Sequence, residues 1–382
     1  MINIFQPDIN KDSLSLLSGV FESNWLGRGD LVTRFENEIS EFLKLDEKRF
    51  HTVASCTDAI FAALKVFDFS KGSKVIIPSI SFPAVPSAIL EAGLIPVVVD
   101  VDLDSGNICL DSLSRSFSND CAAVFLLEYG GVPVKKILGL NCNILIDAAG
   151  SLGTFVNDAS SALKADFTCW SFDAMKMVVC GEGGGVFFKD DKMLEAFKEY
   201  CYLGLPSSGK SGIDRANSEG VWWEYQLNCP GRRSVFTNIN AAIGLPQLNN
   251  IGDRFQRRRI IRSLYVKSFQ KLPHISYVDQ PSSSANAITY SNYFFTIFLE
   301  YRDELAIFLR DRGIYSTFRY FPIHRIDIFK KYATKCPNAE YFCNHALNLP
   351  IHNSLTDENI GFIIGSVEDF FSNEKFVSSK SD

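Results

Sequence analysis

No Cys-x-x-Cys pair occurs among the ten cysteines of this 382-residue chain, and no cysteine or histidine spacing suits a metal site. The cysteines read as reduced thiols, mostly buried, as in a cytoplasmic protein. A run of about 18 apolar residues is also missing, so no membrane-spanning helix is expected. The opening MINIFQPDINKDSLSLL has no basic region followed by an apolar core, which argues against a secretory signal there. Charge of one sign is scarce too: 38 Lys and Arg against 44 Asp and Glu give −6, with both signs interspersed. That leaves no electrostatic footprint for nucleic acid. The single basic cluster, Arg254, Arg257, Arg258, Arg259 and Arg262, falls on an expected helix and reads as a solvated or subunit-contact face. The expectation is a soluble cytoplasmic protein with neither nucleic acid nor membrane as a partner.

What the chain does have is apolar mass. Hydrophobic residues make up 46%, with 32 Phe, enough for a sizeable core divided between two domains. From Lys74 to Lys189, β-rich runs alternate with segments of helical length. The runs are KVIIPS, PVVVDVD, AAVFLLEY, NILIDAA, FTCWSF and GGVFFKD. Most include continuous apolar stretches, as strands covered on both faces require, so an α/β domain with a mostly parallel sheet is predicted. Phe82–Gly93 and Val132–Cys142 are expected helices between strands. A long helical pattern runs from Thr237 to Leu272, with a kink or break expected at Pro246. After the polar loop PSSSANA come a strand (YFFTIFLE), a helix (DELAIFLRDRG), a second strand (YSTFRYF) and two more helices, a compact α+β module. The tail NEKFVSSKSD reads as frayed.

Open α/β sheets bind ligands beyond the carboxyl ends of their strands. Asp147 ends NILIDAA; alone, such a residue is usually a turn or cap carboxylate. Lys176 follows FTCWSF and precedes GEGGG. Flanked by Met175, Met177, Val178 and Val179, it is open to desolvation, which would lower its pKa and make the amine nucleophilic. A lone lysine there more often snorkels over apolar neighbours. Ser55, Cys56 and Thr57 stand between the strand HTVAS and an amphipathic helix. They offer either a simple N-cap or a phosphate site of backbone N–H groups with the Thr57 hydroxyl. Phe82 follows VIIPS, and any one Phe of 32 is first a core candidate. Together the pieces are complementary. An amine binds an aldehyde, a carboxylate keeps a pyridine nitrogen protonated, a helix start takes a phosphate, and an aromatic face stacks on a ring. These are the requirements of pyridoxal 5′-phosphate (PLP).

Their order resembles the DegT/DnrJ/EryC1/StrS family of sugar aminotransferases along nearly the whole chain. ASCTDAIFAAL is similar to the family's SGTDAL helix start. VIIPSISFPAVPSAILEAGLIPVVVDVD is similar to the stretch whose aromatic, here Phe82, stacks on the cofactor. LLEYGGVP resembles its LYG turn, and LIDAAGSLG resembles EDAAQ, placing Asp147 on the pyridine nitrogen. SFDAMKMVVCGEGGGVFF resembles SFxxxK…GDGG, making Lys176 the Schiff-base lysine and placing Ser171 on the phosphate. TNINAAIGLPQL and LNLPIHNSLTDENI complete seven matches in order. There are three departures. Gly150 stands where a glutamine usually contacts the ring hydroxyl, Cys56 replaces a glycine, and GRRSV replaces the GYNYR turn that lends an asparagine to the neighbouring subunit's phosphate. Arg233 falls at the asparagine's place.

The resemblance implies an aspartate-aminotransferase-like large domain (fold type I), residues 1–250 with the N-terminal segment, and a small α+β domain, residues 251–382. It implies Lys176 and Asp147 as catalytic residues and Cys56, Thr57, Phe82, Asp147, Ser171, Lys176 and Arg233 around PLP. It also implies Trp25 (with Gly29 beside it), Tyr320 and His324 near the substrates. The reaction would move an amino group, from L-glutamate, to a nucleotide-linked keto-deoxy-sugar for surface-glycan (lipopolysaccharide, O-antigen) synthesis, in a homodimer with shared active sites. WEYQLNCPGRRS suggests the viosamine-type branch acting at C-4. A keto-sugar dehydratase of the same fold would carry histidine in place of Lys176. An aminotransferase for free amino acids or small amines, and a non-catalytic binding or regulatory protein, are further candidates.

Overall fold

The computed structural model describes residues 1–45, 49–135, 137, 140–206, 223–224, 226–278, 280 and 287–372. PSSSANA (except Ala287), the tail NEKFVSSKSD and Tyr225 of WEYQLNCPGRRS lie outside the described residues.

The architecture is built on a seven-stranded sheet. Its strands are β1 (Phe50–Val53), β2 (Lys74–Pro78), β3 (Ile95–Val99), β4 (Cys121–Leu127), β5 (Asn143–Asp147), β8 (Phe167–Ser171) and β9 (Gly184–Phe188). Short β6 (Phe155–Val156) and β7 (Ala159–Ser160) fall between β5 and β8. The order is β1-β9-β8-β5-β4-β2-β3, and β9 alone runs against the rest. The apolar runs foreseen from the sequence are these strands.

Their continuity has a visible cause. Side chains alternate between sheet faces, and each face has its own core. Val75, Ile77, Leu145 and Phe167 pack with Ala59, Ala63, Val85, Ala88 and Phe197 of helices Cys56–Phe67, Ala84–Glu91 and Asp191–Cys201. Their neighbours Ile76, Ile146 and Trp170 face the opposite core, with Val32, Phe35 and Ile39 of helix Asp30–Leu43 and Ala241 and Leu245 of helix Asn238–Leu248. A sheet covered on both sides leaves few strand positions for polar residues, and Thr168 inside β8 is held by donating its hydroxyl to the Ala162 carbonyl.

Four expectations need correction. The described residues of Val132–Cys142 form no helix; Pro133 disfavours helical backbone at Val132 and brings no N–H. The pattern from Thr237 breaks at Asn249–Asn250, while Pro246 is held inside helix Asn238–Leu248. YSTFRYF is not a strand. Only Thr317 bridges Asn348, and the Arg319 N–H goes to the Asn348 side chain, so no ladder continues. The arginine cluster on helix Ile251–Phe269 is not one solvated face. Arg258 is buried, with Nη1 donating to the Asn292 and Ile351 carbonyls, and Arg254 binds Asp8.

The C-terminal part has a three-stranded antiparallel sheet of β10 (Ser276–Tyr277), β12 (Phe295–Phe298) and β13 (Ala346–Leu349), with β11 (Ile288–Thr289) pairing instead with β6. Its core joins Ile261, Tyr265 and Phe269 to Ile297, Leu305, Leu309, Ile363 and Val367. We propose the domain division between Asn250 and Ile251, because the buried members of this third core all follow it. Residues 320–345 return to the large sheet, where Thr334 donates to the Val98 carbonyl and the Asp100 carboxylate accepts from the Asn338 and Ala339 N–H groups.

Candidate active site

The carboxyl ends of the parallel strands converge, and the candidate residues lie there. Alternation along β5 puts Asp147 on the face of Leu145, and register pairs it with Cys169 of β8. The Asp147 carboxylate, Cys56 Sγ and Cys169 Sγ lie within 4.8 Å of one another, all buried. Burial pushes the Asp147 carboxyl above its usual range; the Ala149 N–H at 2.9 Å and the charge of Lys176 pull it back. A carboxylate kept this dry gains most from a cationic N–H partner.

Lys176 lies in the turn that carries the chain from β8 to β9. The turn is closed by hydrogen bonds from the Lys176 N–H to the Asp173 carbonyl and from the Cys180 N–H to the Phe172 carbonyl. The side chain is 9% exposed, as its apolar neighbours suggest. The expected fall in its pKa does not follow. Burial pushes it down, but Tyr293, Tyr320 and Asp173 outweigh burial and hold the ammonium above the ordinary lysine value. Nζ donates to Tyr293 Oη at 3.2 Å and lies 3.8 Å from an Asp173 oxygen. The polar neighbours come from segments over 100 residues away and from the turn itself, not from its sequence-adjacent apolar flanks.

The helix Cys56–Phe67 starts at Ser55, whose side chain accepts from the Asp58 N–H at 3.0 Å. Ser55 is the cap, so the exposed Thr57 hydroxyl is left to other partners. First-turn N–H groups have no intrahelical acceptor and attract an anion. The glycine run has its use here. Gly184 pairs with both Val53 and Ser171, and a Cβ on it would stand 2.5 Å from the Ser55 carbonyl carbon and 2.6 Å from Cys56 N. Only glycine lets β9 lie this close to the helix start and set Ser171 beside it. The Ser171 hydroxyl donates to Asp173 at 3.2 Å.

Phe82 is 46% exposed, unlike most phenylalanines of the chain, and meets the edge of Tyr320 at 5.7 Å. Burial raises the Tyr320 pKa, and its ring feels both Lys176 and Asp147. Asp147 thus stands with Cys56 and Cys169 and feels the charge of Lys176, while Tyr320 feels both Lys176 and Asp147 and touches Phe82. These residues fit a phosphorylated pyridine aldehyde.

Three candidates lie apart by their contacts. His324 has both ring nitrogens engaged, Nδ1 with Ser79 Oγ at 2.5 Å and Nε2 with Glu340 at 2.7 Å, so it ties its own segment to Ser79, the residue after β2, and to Glu340. Trp25 is exposed on the N-terminal turn. Its Nε1 donates to the Arg28 carbonyl, and Gly29 lets the turn lie against Asn238. Arg233 is exposed over the ring of Tyr202, while its neighbour Arg232 pairs with Asp58 at 2.5 Å. Tyr293 and Cys169 were missed by sequence reasoning. No local motif marks Tyr293, and the one signal was the unusual Gly150.

The profile of the DegT/DnrJ/EryC1/StrS aminotransferase family matches residues 7–368. A dTDP-4-dehydro-2,3,6-trideoxy-D-glucose 4-aminotransferase of Saccharopolyspora spinosa is 33% identical over 368 residues, 94% of each chain. The crystal structure of the aminotransferase TlmJ from Streptoalloteichus hindustanus superposes with a TM-score of 0.87 at 30% identity, covering 97% of this chain and 98% of that one. The sugar aminotransferase Spr1654 of Streptococcus pneumoniae, described as putative and solved in PMP and PLP forms, has the same fold. Its PMP form gives a TM-score of 0.87 at 24% identity, covering 97% of this chain and 98% of that one.

Proposed function

The chain belongs to the DegT/DnrJ/EryC1/StrS aminotransferase family, a group of PLP-dependent transaminases, and from that premise we propose that it aminates a nucleotide-linked keto-deoxy-sugar. The substrate class we infer is a 4-keto-6-deoxyhexose, with L-glutamate as donor and a surface glycan as destination. The 4-aminotransferase activity in the name of the S. spinosa relative supports amination at C-4, as does the WEYQLNCPGRRS stretch. The observation that carries the reading is the buried carboxylate of Asp147 within electrostatic reach of the amine of Lys176.

PLP supplies an aldehyde to hold an amine and a pyridinium ring to receive electrons. The residues of this chain do the rest. Asp147, dry and at a strand end, holds a proton on the ring nitrogen. The N–H groups at Cys56 and Thr57 and the Ser171 hydroxyl anchor the phosphate, and Phe82 covers the ring. Lys176 Nζ carries the proton that must move from the donor's α-carbon. Asp173 and the two tyrosines are its near polar neighbours. Donor and acceptor use the site in turn, so ping-pong kinetics are expected.

We place the phosphate contact of Arg233 in a partner subunit. The side chain is exposed and lies over Tyr202, on the surface that also presents Leu203. A homodimer with shared sites follows, and Trp25 lies at the mouth of the site in this reading.

The test is incubation of holoenzyme with L-glutamate and a panel of nucleotide-linked keto-sugars, read by product mass. Equal amounts of 2-oxoglutarate and amino-sugar are expected. A dehydrated sugar without 2-oxoglutarate would overturn the assignment in favour of a dehydratase.

A further inference from the structure

Tyr293 is the one side chain that hydrogen-bonds Lys176 Nζ among the described residues, at 3.2 Å, and the amine also lies 4.7 Å from its ring centroid. It is 1% exposed. Its position is fixed from several sides: the ring stacks on Phe5 at 5.1 Å, packs on Phe294 at 4.5 Å, and its N–H donates to the Gly130 carbonyl at 3.1 Å. Gly150, three residues after Asp147, lies beneath it. A Cβ added there would stand 2.7 Å from Tyr293 Cδ1. A side chain at 150 and the ring at 293 would therefore compete for one space.

The chemistry of the ligand names what belongs in that place. On pyridoxal the hydroxyl occupies the ring carbon next to the one bearing the aldehyde. When the aldehyde is bound to Lys176, that oxygen lies beside Nζ. A hydroxyl within hydrogen-bond distance of Nζ, on a ring that cannot shift, is placed beside the same oxygen.

We propose that Tyr293 Oη donates the hydrogen bond to the cofactor's ring hydroxyl oxygen, from the space left open by Gly150. The inference rests on the PLP reading of the site and adds a residue to it. A donor at that oxygen favours its anionic form. The imine nitrogen, which competes for the same proton, then holds it less tightly. Tyr293 thus sets the pH at which the Lys176-bound cofactor changes colour.

Tyr293→Phe keeps the ring and its packing and removes only the donor. The measurement is a pH titration of the visible absorption band of the holoenzyme without substrates. The variant should keep its cofactor on Lys176, and its midpoint should rise by about one pH unit or more, the size of a lost hydrogen bond to a charged group. An unchanged midpoint would overturn the proposal. Tyr293→Ala should raise the midpoint as well, and adding Gly150→Gln to it should bring it back by supplying an amide donor in the vacated space. A midpoint that stays displaced in the double variant would assign the shift to lost packing and overturn the proposal. Wild-type protein without a visible band after incubation with PLP would instead overturn the cofactor reading itself.

Discussion

Gly184→Ala isolates the phosphate end of the site. The new Cβ would meet the Ser55 carbonyl carbon at 2.5 Å and Cys56 N at 2.6 Å, both backbone atoms that no rotamer change can move. Ordinary contact needs about 3.5 Å, so strand and turn must part by roughly 1 Å. Hydrogen bonds weaken steeply over that range. One charge-assisted bond between a helix-start N–H and a phosphate is worth about 1.5–3 kcal/mol, so its loss should weaken PLP binding roughly ten- to hundredfold. The assay titrates apoenzyme with PLP by absorbance, beside a second titration with pyridoxal, which lacks the phosphate. Affinity for PLP should fall while affinity for pyridoxal barely changes. Gly361→Ala, where nothing lies within 4 Å of the new Cβ, should leave both unchanged. Wild-type PLP affinity in Gly184→Ala, or an equal loss for both ligands, would refute the placement of the phosphate at this turn.

Two further outcomes concern stability. Glu128 is buried just past β4, and burial raises its pKa from 4.5 to about 7 against the opposing pull of Ser151, Ser161 and the Val134 N–H. The folded state therefore binds more protons than the unfolded one between those values. The stability this supplies is full below about pH 4.5 and is lost as pH rises through about 7, up to roughly 3 kcal/mol. Glu128→Gln should flatten the denaturant midpoint between pH 5 and 8 and raise it at pH 8; an unchanged slope would exclude Glu128 as its source. His324→Asn should lower stability by roughly 1–3 kcal/mol by leaving the buried Ser79 hydroxyl unpaired, as measured by thermal melting. An unchanged melting temperature would mean that this brace carries no load.

The strands could be read from the sequence because both faces of the sheet are covered. Val75–Ile77 and Leu145–Ile146 give unbroken apolar signals, and the first polar residue at a strand end, Asp147, stands out. Segments governed by distant partners could not be read in this way. YSTFRYF has strand-like composition, yet its backbone is held by Ile2 and the Asn348 side chain. The helical pattern from Thr237 hid a break, because Pro246 is more conspicuous than Asn249–Asn250. Arg258 looked like part of a charged face, but two carbonyls from the small domain hold its Nη1 in the interior. In the site, local motifs singled out Lys176, Asp147, the Cys56 turn and Phe82. The environment of Lys176 did not follow from its neighbours in sequence, because Tyr293, 117 residues away, acts with Tyr320 and Asp173 against the direction in which burial alone would move the amine.

The claim beneath all of this is that Nζ of Lys176 bonds covalently to the cofactor. Borohydride reduction of PLP-loaded protein, followed by digestion and mass mapping, tests it directly. The account predicts the reduced cofactor on the peptide carrying Lys176 and nowhere in a folded Lys176→Ala variant. A label on another lysine, or on none, would contradict it.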